Sequence, residues 1–350
     1  MMELLKSILT YARETGCSDI HLNEGSPAMV RRNGILQECP FFMDENMTKE
    51  CIMAMIPKRL MSDFQNGKDT DFTYTLDSKR QRVNIYRQQG KLCAAIRIIH
   101  NTIQTLDELQ MPEILKKLTM EPRGLIIVSG PTGSGKSTTL AAMVDYINEH
   151  RKCHILTIED PIEYVYAQKQ ALIHQREIGQ DVDTFDTALR SALREDPDVI
   201  LVGEMRDYET IAAVVTLAET GHLVLSSLHT AGAAKTIDRI IDVFPAHRQD
   251  QVRMQVAGVL KAVIRQQLLV TKDQCSRTAA LEIMIVNDAI HNLIREKKVH
   301  QINTIIQTGM REGMQSLNLA LARLIKNNVV TFEEASNYSN DTEELKQFLR

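Results

Sequence analysis

Residues 130–138 read Gly-Pro-Thr-Gly-Ser-Gly-Lys-Ser-Thr, directly behind the apolar run at 124–129 and directly before the helix-like stretch at 139–148. A buried strand, a glycine turn and a helix in that order aim successive backbone N–H groups at one point, where the positive end of the helix dipole also lies. Such a turn is a cradle for nucleotide phosphate. Gly130, Pro131, Thr132, Gly133, Ser134, Gly135, Lys136, Ser137 and Thr138 are therefore the expected nucleotide-binding residues, with Lys136 reaching the β- and γ-phosphates and Ser137 placing its hydroxyl on Mg2+.

The cradle also predicts the texture around it. From Glu113 onward, strand-like runs at 124–129, 154–159, 198–203 and 222–227 alternate with helices at 184–194 and 208–220, the signature of a mostly parallel sheet. Asp207 is placed to cap the second of these helices. Past Pro245 the chain reads as mainly helical: Val252, Val256, Leu260 and Val263 form a stripe, and Asn287 is placed to cap a helix running to Glu296. The first hundred residues read differently, as a small α+β unit. Asn33-Gly34 signals a hairpin, Phe72, Tyr74 and Leu76 alternate with polar residues, and two further strand-like runs flank residues 88–90. The expected organisation is an N-terminal α+β domain over 1–99, a linker over 100–112 and an α/β domain with a helical C-terminal portion over 113–350.

Composition narrows the partners. The 41 lysines and arginines are balanced by 45 acids, a net charge of -4, without the basic excess that nucleic-acid binding asks for. The six cysteines are scattered, with no C-x-x-C pair, so neither a zinc site nor a disulfide framework is expected, and a reducing, cytoplasmic setting is. The amphipathic N-terminus carries charge where a signal peptide needs an apolar core. No apolar run approaches the roughly 20 residues of a membrane span, so membrane contact is expected only through partners.

Three further sets could carry chemistry. Glu204 ends the apolar run 198–203, where a phosphate-loop enzyme places the carboxylate that holds magnesium directly or through water. Glu159 and Glu163 flank Pro161 at the end of another strand, and either could serve as the base or water-positioning group that hydrolysis needs. His229 ends the strand that His222 opens; strand alternation puts the two on opposite faces, against a shared metal, and leaves His229 as a candidate γ-phosphate sensor. Arg80, Arg82, Arg87 and Arg97 lie in the first domain, and an arginine supplied from another domain or subunit can neutralise charge developing on the γ-phosphate.

Taken together, the loop at 130–138, the acidic box at 158–163, the stretch from Arg194 to Asp207 and the histidine box from Thr220 to Thr230 resemble the secretion ATPase superfamily of bacterial type II secretion and type IV pili. The likeness runs from Ser18 to Ala335. Cys275 stands alone where many members carry a four-cysteine zinc insertion, and residues 289–296, Ala-Ile-His-Asn-Leu-Ile-Arg-Glu, resemble the signature of the pilus-retraction branch, with His291 in place of an arginine. The resemblance implies a PAS-like N-terminal domain, a RecA-like P-loop domain and a cytoplasmic homohexameric ATPase that withdraws pili for twitching or gliding motility, peripheral at the inner membrane through a pilus platform protein. It implies ATP and Mg2+ as cofactors, Glu163 as the base, Glu204 as the magnesium-associated acid and His229 as the phosphate sensor. Arg80, Arg82 and Arg97 match the family's arginine region, and Arg277 is implied to approach the nucleotide. The alternatives are an extension or type II secretion ATPase of the same superfamily, or a RecA-like nucleic-acid translocase, which would show a basic pore. A small-molecule kinase, which usually opens with its phosphate loop, and a non-catalytic ATP-bound ring fit less well.

Overall fold

The computed structural model describes residues 2–32, 34–77, 79–99 and 102–350. Two compact units emerge, one of residues 1–102 with 163–165, the other of residues 103–162 with 166–350. The hairpin expected at Asn33-Gly34 falls partly on Asn33, and the linker stretch partly on His100 and Asn101, which lie outside the described residues.

The first unit is a six-stranded sheet: β1 Asp19–Asn23, β2 Ser26–Arg32, β3 Ile35–Met43, β4 Thr70–Leu76, β5 Lys79–Gln88 and β6 Lys91–Ile98, in the order β3-β2-β1-β6-β5-β4. All of its pairings are antiparallel. The period-2 alternation of the sequence turns Ile20, Leu22, Val30, Val83, Ile85, Ala94 and Ile96 into one core with Leu5, Ile8 and Leu9 of the helix Met2–Glu14 and Ile52 of the helix Glu45–Met55. A register row on this sheet runs Arg31↔Asp19↔Arg97↔Arg82, a cationic row interrupted by one acid.

The second unit holds seven strands: β7 Gly124–Ser129, β8 His154–Glu159, β9 Leu172–Glu177, β10 Val199–Val202, β11 Leu223–Leu228, β12 Leu260–Val270 and β13 Arg277–Ile285, ordered β13-β12-β7-β11-β10-β8-β9. Every pairing is parallel except β12 with β13. Strands β7, β10 and β11 are buried at every residue, which is why they show no alternation of apolar and charged residues. The α/β class expected from the alternation is the class adopted. Asp207 accepts from Thr210 N and Asn287 from Ile290 N, so both expected caps are present.

One expectation is corrected. Leu260 and Val263, read as the end of a helical stripe with Val252 and Val256, belong to strand β12; the helix Ala246–Val259 stops at Leu260. A strand buried on both faces has no alternation, so periodicity alone cannot separate it from a buried helix. Pairing with β7 and β13 decides the matter, and the stretch past Pro245 contributes two strands between the helix Ala246–Val259 and the helices that follow from Asp288. Strand β9 escaped the sequence reading because four of its six residues are polar, although Ile173 and Glu177 are buried and Gln175 and Arg176 half-buried beside β8.

Within this unit Arg265 on β12 lies opposite Glu282 on β13, Nη1 to Oε2 at 3.8 Å, with side chains 5% and 8% exposed. Burial pulls the guanidinium below its ordinary pKa, and the Glu282 charge opposes that pull. Glu282 also accepts from Ala233 N at 2.9 Å, at the start of the helix Ala233–Asp242, while Arg265 Nη1 donates to Asn340 Oδ1. Glu282→Ala is expected to lower unfolding stability by about 3–5 kcal/mol, because it strands a buried cation. Glu282→Gln, which keeps an acceptor for Ala233, should lose less, and chemical denaturation of the two variants checks the order.

Candidate active site

The phosphate loop joins β7 to the helix Lys136–His150. Gly135 precedes that helix with φ 85° and no side-chain cap, so the first-turn N–H groups are left to a ligand rather than to a serine or aspartate. Gly130 has φ 147° and Gly133 φ 79°, values that favour glycine. At Gly130 a Cβ would meet Gln266 O at 2.4 Å and Ser134 Oγ at 2.7 Å, so the first glycine is required twice, by conformation and by space. Lys136 is 8% exposed, and its Nζ donates to Gly130 O and Pro131 O at 3.0 Å each. The ammonium is thus held within the loop that it serves. Ser137, next along the helix, is exposed, and Thr138 is half-buried.

Strand order brings the other candidates to the same edge. In a parallel sheet the segments leaving the carboxyl ends share one side, and β7, β11, β10 and β8 are neighbours in that order. The loop leaves β7, His229 follows β11, Glu204 follows β10, and Glu159 closes β8. His229 Nε2 lies 3.3 Å from Glu204 Oε2, and Arg206 pairs with the other carboxylate oxygen. Gly203 packs this turn against β8, within van der Waals reach of Glu159. Ser227 Oγ donates to Gly203 O at 2.7 Å, and Met205 N donates to Ser227 O, which ties the turn holding Glu204 to the strand that leads to His229.

The two acids of the 158–163 box separate. Glu159 is buried and accepts from Thr157 Oγ1 at 2.7 Å and Gln175 Nε2 at 3.4 Å. Glu163 is exposed, on a segment that begins at the cis Asp160–Pro161 peptide and is fixed at both ends to β9: Ile162 N donates to Glu177 Oε2 and Tyr166 N to Gln175 Oε1. His222 is engaged locally, with Nδ1 2.9 Å from Leu217 O and 3.1 Å from Thr220 Oγ1.

The arginines have local partners. Arg82 pairs with Asp71 through Nε and Nη2, the latter at 2.6 Å, and Arg97 Nε donates to Asp19 at 2.9 Å. Burial would raise the Asp19 carboxyl; hydrogen bonds from Arg97 and Ser18 outweigh it and hold the group below the usual carboxylate range. Arg80 is half-buried on the same strand as Arg82, and Arg87, further along it, lies over the Phe64 ring. Arg277 opens β13 opposite Val270, farther along β12 than the Arg265↔Ser129 pair that lies level with the loop.

Magnesium suits this set. The ion keeps several waters and binds through one or two protein oxygens plus substrate phosphates, so an open hydroxyl at Ser137 and a carboxylate at Glu204 are the expected complement, and a cage of three or more side chains is not needed. Sequence reasoning missed Gln266, which bridges the loop from β12 at 2.7 Å to Ser134 O and 2.7 Å to Thr139 Oγ1. No spacing signal marks it, because it is far from the loop in the chain.

The chain is similar to several known proteins. A family model described as Type II/IV secretion system protein matches residues 1–348. The type IV pilus retractation ATPase PilT of Pseudomonas aeruginosa is 46% identical over 333 residues, 95% of this chain and 96% of that protein. A twitching motility protein of Neisseria gonorrhoeae is 50% identical over 283 residues, 81% of this chain and 76% of that protein. Among solved structures, the pilus retraction motor PilT with bound ADP has a TM-score of 0.90 and 41% identity, covering 97% of this chain and 98% of that chain.

Proposed function

Because the chain belongs to the Type II/IV secretion system protein family, we propose that it is an ATP-hydrolysing motor that powers type IV pilus retraction as a homohexameric ring acting on a platform protein of the inner membrane. Its phosphate loop carries this reading: glycines at Gly130, Gly133 and Gly135, an uncapped helix start and a buried Lys136 form a complete cradle. The likeness to the retraction motor over nearly the whole chain favours retraction over the extension and translocase alternatives. Among the described residues no helix is long and apolar enough to cross a membrane.

The residues then divide the work. Backbone N–H groups of the loop and Lys136 hold the β- and γ-phosphates. Ser137 and Glu204 would hold magnesium, which when bound offsets charge across those phosphates. Glu163 accepts the proton of the attacking water as the bond from the γ-phosphorus to the ADP oxygen breaks; Glu159, committed to Thr157 and Gln175, is less free to do so. His229 contacts Glu204, so a change at the γ-phosphate is felt by the magnesium-associated acid, and Arg80, Arg82 and Arg97 of a neighbouring subunit supply positive charge as hydrolysis proceeds, with Arg277 approaching the nucleotide. Loss of the γ-phosphate releases the turns at the sheet's carboxyl edge, and the ring converts that change of state into withdrawal of the pilus. Deleting the gene and imaging surface pili is the test. An excess of non-retracting pili is expected, whereas loss of pili overturns the retraction reading in favour of extension.

A further inference from the structure

Gln266 stands on β12, 2% exposed, with its carboxamide used at both ends. Its Nε2 donates to Ser134 O at 2.7 Å and its Oε1 accepts from Thr139 Oγ1 at 2.7 Å. A carbonyl oxygen can only accept, so the nitrogen must be the end that faces Ser134, and the threonine hydroxyl completes the bracket by donating to the oxygen. The contact is close enough to dictate sequence. A Cβ on Gly135 would stand 2.8 Å from Gln266 Nε2, and one on Gly130 2.4 Å from Gln266 O. The first and last glycines of the loop are thus both pressed against this one residue.

The bracket has a consequence for the phosphates. In a planar trans peptide the C=O and N–H point in opposite directions. Holding Ser134 C=O onto Gln266 therefore turns the Gly135 N–H away from the Gln266 carboxamide. We infer that Gln266 is a positioning residue for nucleotide binding, fixing the Ser134–Gly135 peptide so that its N–H is preset to donate to phosphate. The inference rests on the ATPase reading above and adds to it a residue from outside the loop. Because the cradle addresses phosphates shared by ATP and ADP, loss of the bracket weakens both nucleotides, rather than ATP alone.

The test uses fluorescent mant-ADP and mant-ATP on the full chain, with thermal unfolding of the nucleotide-free protein as a check on folding. Gln266→Leu should weaken both nucleotides about tenfold, the effect of one well-made hydrogen bond. Gln266→Glu keeps the shape but offers a donor only when protonated, so its deficit relative to wild type should be larger at pH 8.5 than at pH 5.5. Thr139→Val, which removes one end of the bracket and little volume, should weaken both about threefold and serves if the Gln266 variants do not fold. Wild-type affinity in Gln266→Leu, or a Gln266→Glu deficit that does not narrow as pH falls, overturns the inference while leaving the ATPase reading intact. Failure of the wild-type chain to bind either nucleotide overturns both.

Discussion

Replacing Lys136 by alanine is expected to abolish ATP turnover while the protein remains folded. The side chain is 8% exposed and donates to Gly130 O and Pro131 O, so its removal costs the loop two internal hydrogen bonds and about 1–3 kcal/mol of stability. That is survivable for a domain whose main core lies in the sheet and its helices. The effect on turnover is far larger, because the charge that reaches the β- and γ-phosphates acts where charge builds during transfer; removing a single such stabilising group costs about 10²–10³ in rate. Phosphate release by the purified variant, with circular dichroism to confirm the fold, decides. Turnover equal to wild type would overturn the assignment of the loop as the hydrolytic site.

Glu163→Gln should separate binding from chemistry. The substitution preserves size and leaves the segment tied to β9 through Ile162 and Tyr166, but an amide cannot take a proton from water. Nucleotide affinity should stay near wild type while the rate falls by about 10²–10⁴, the range for loss of a general base. Full-rate hydrolysis would move the base to Glu159 or another group. The comparison is informative because the two acids differ so much in setting. Glu159 is buried and hydrogen-bonded at the end of β8, and a glutamine there would disturb the contacts to Thr157 and Gln175 as well as any chemistry. A rate loss at Glu159 accompanied by lower stability would therefore be read as structural.

Much of this protein was legible in its linear order. The phosphate loop declares itself because all its determinants are contiguous: a fully buried strand, glycines at positions of positive φ, and a helix whose first turn lacks a cap. The caps at Asp207 and Asn287 are equally local, each depending on a backbone N–H three residues on. Candidate acids and histidines at strand ends were visible for a similar reason, since a strand that runs apolar and then stops marks its own carboxyl end.

What only the tertiary structure decided is which of these ends meet, and what supports them from elsewhere. Strand order brings Glu204 to 3.3 Å from His229, a meeting that depends on β10 and β11 being neighbours rather than on any spacing between the two residues. The stretch around Leu260 and Val263 became a strand because β7 and β13 offered backbone partners on both sides, and a strand buried on both faces shows no alternation that would separate it from a helix. Gln266 depends on that placement. Its bond to Thr139 spans 127 positions of sequence, and nothing local distinguishes it from its neighbour Gln267. Sequence alone determined that a phosphate cradle exists, because the cradle is built from consecutive backbone groups; its bracing and its company follow from long-range packing, which consecutive residues do not encode.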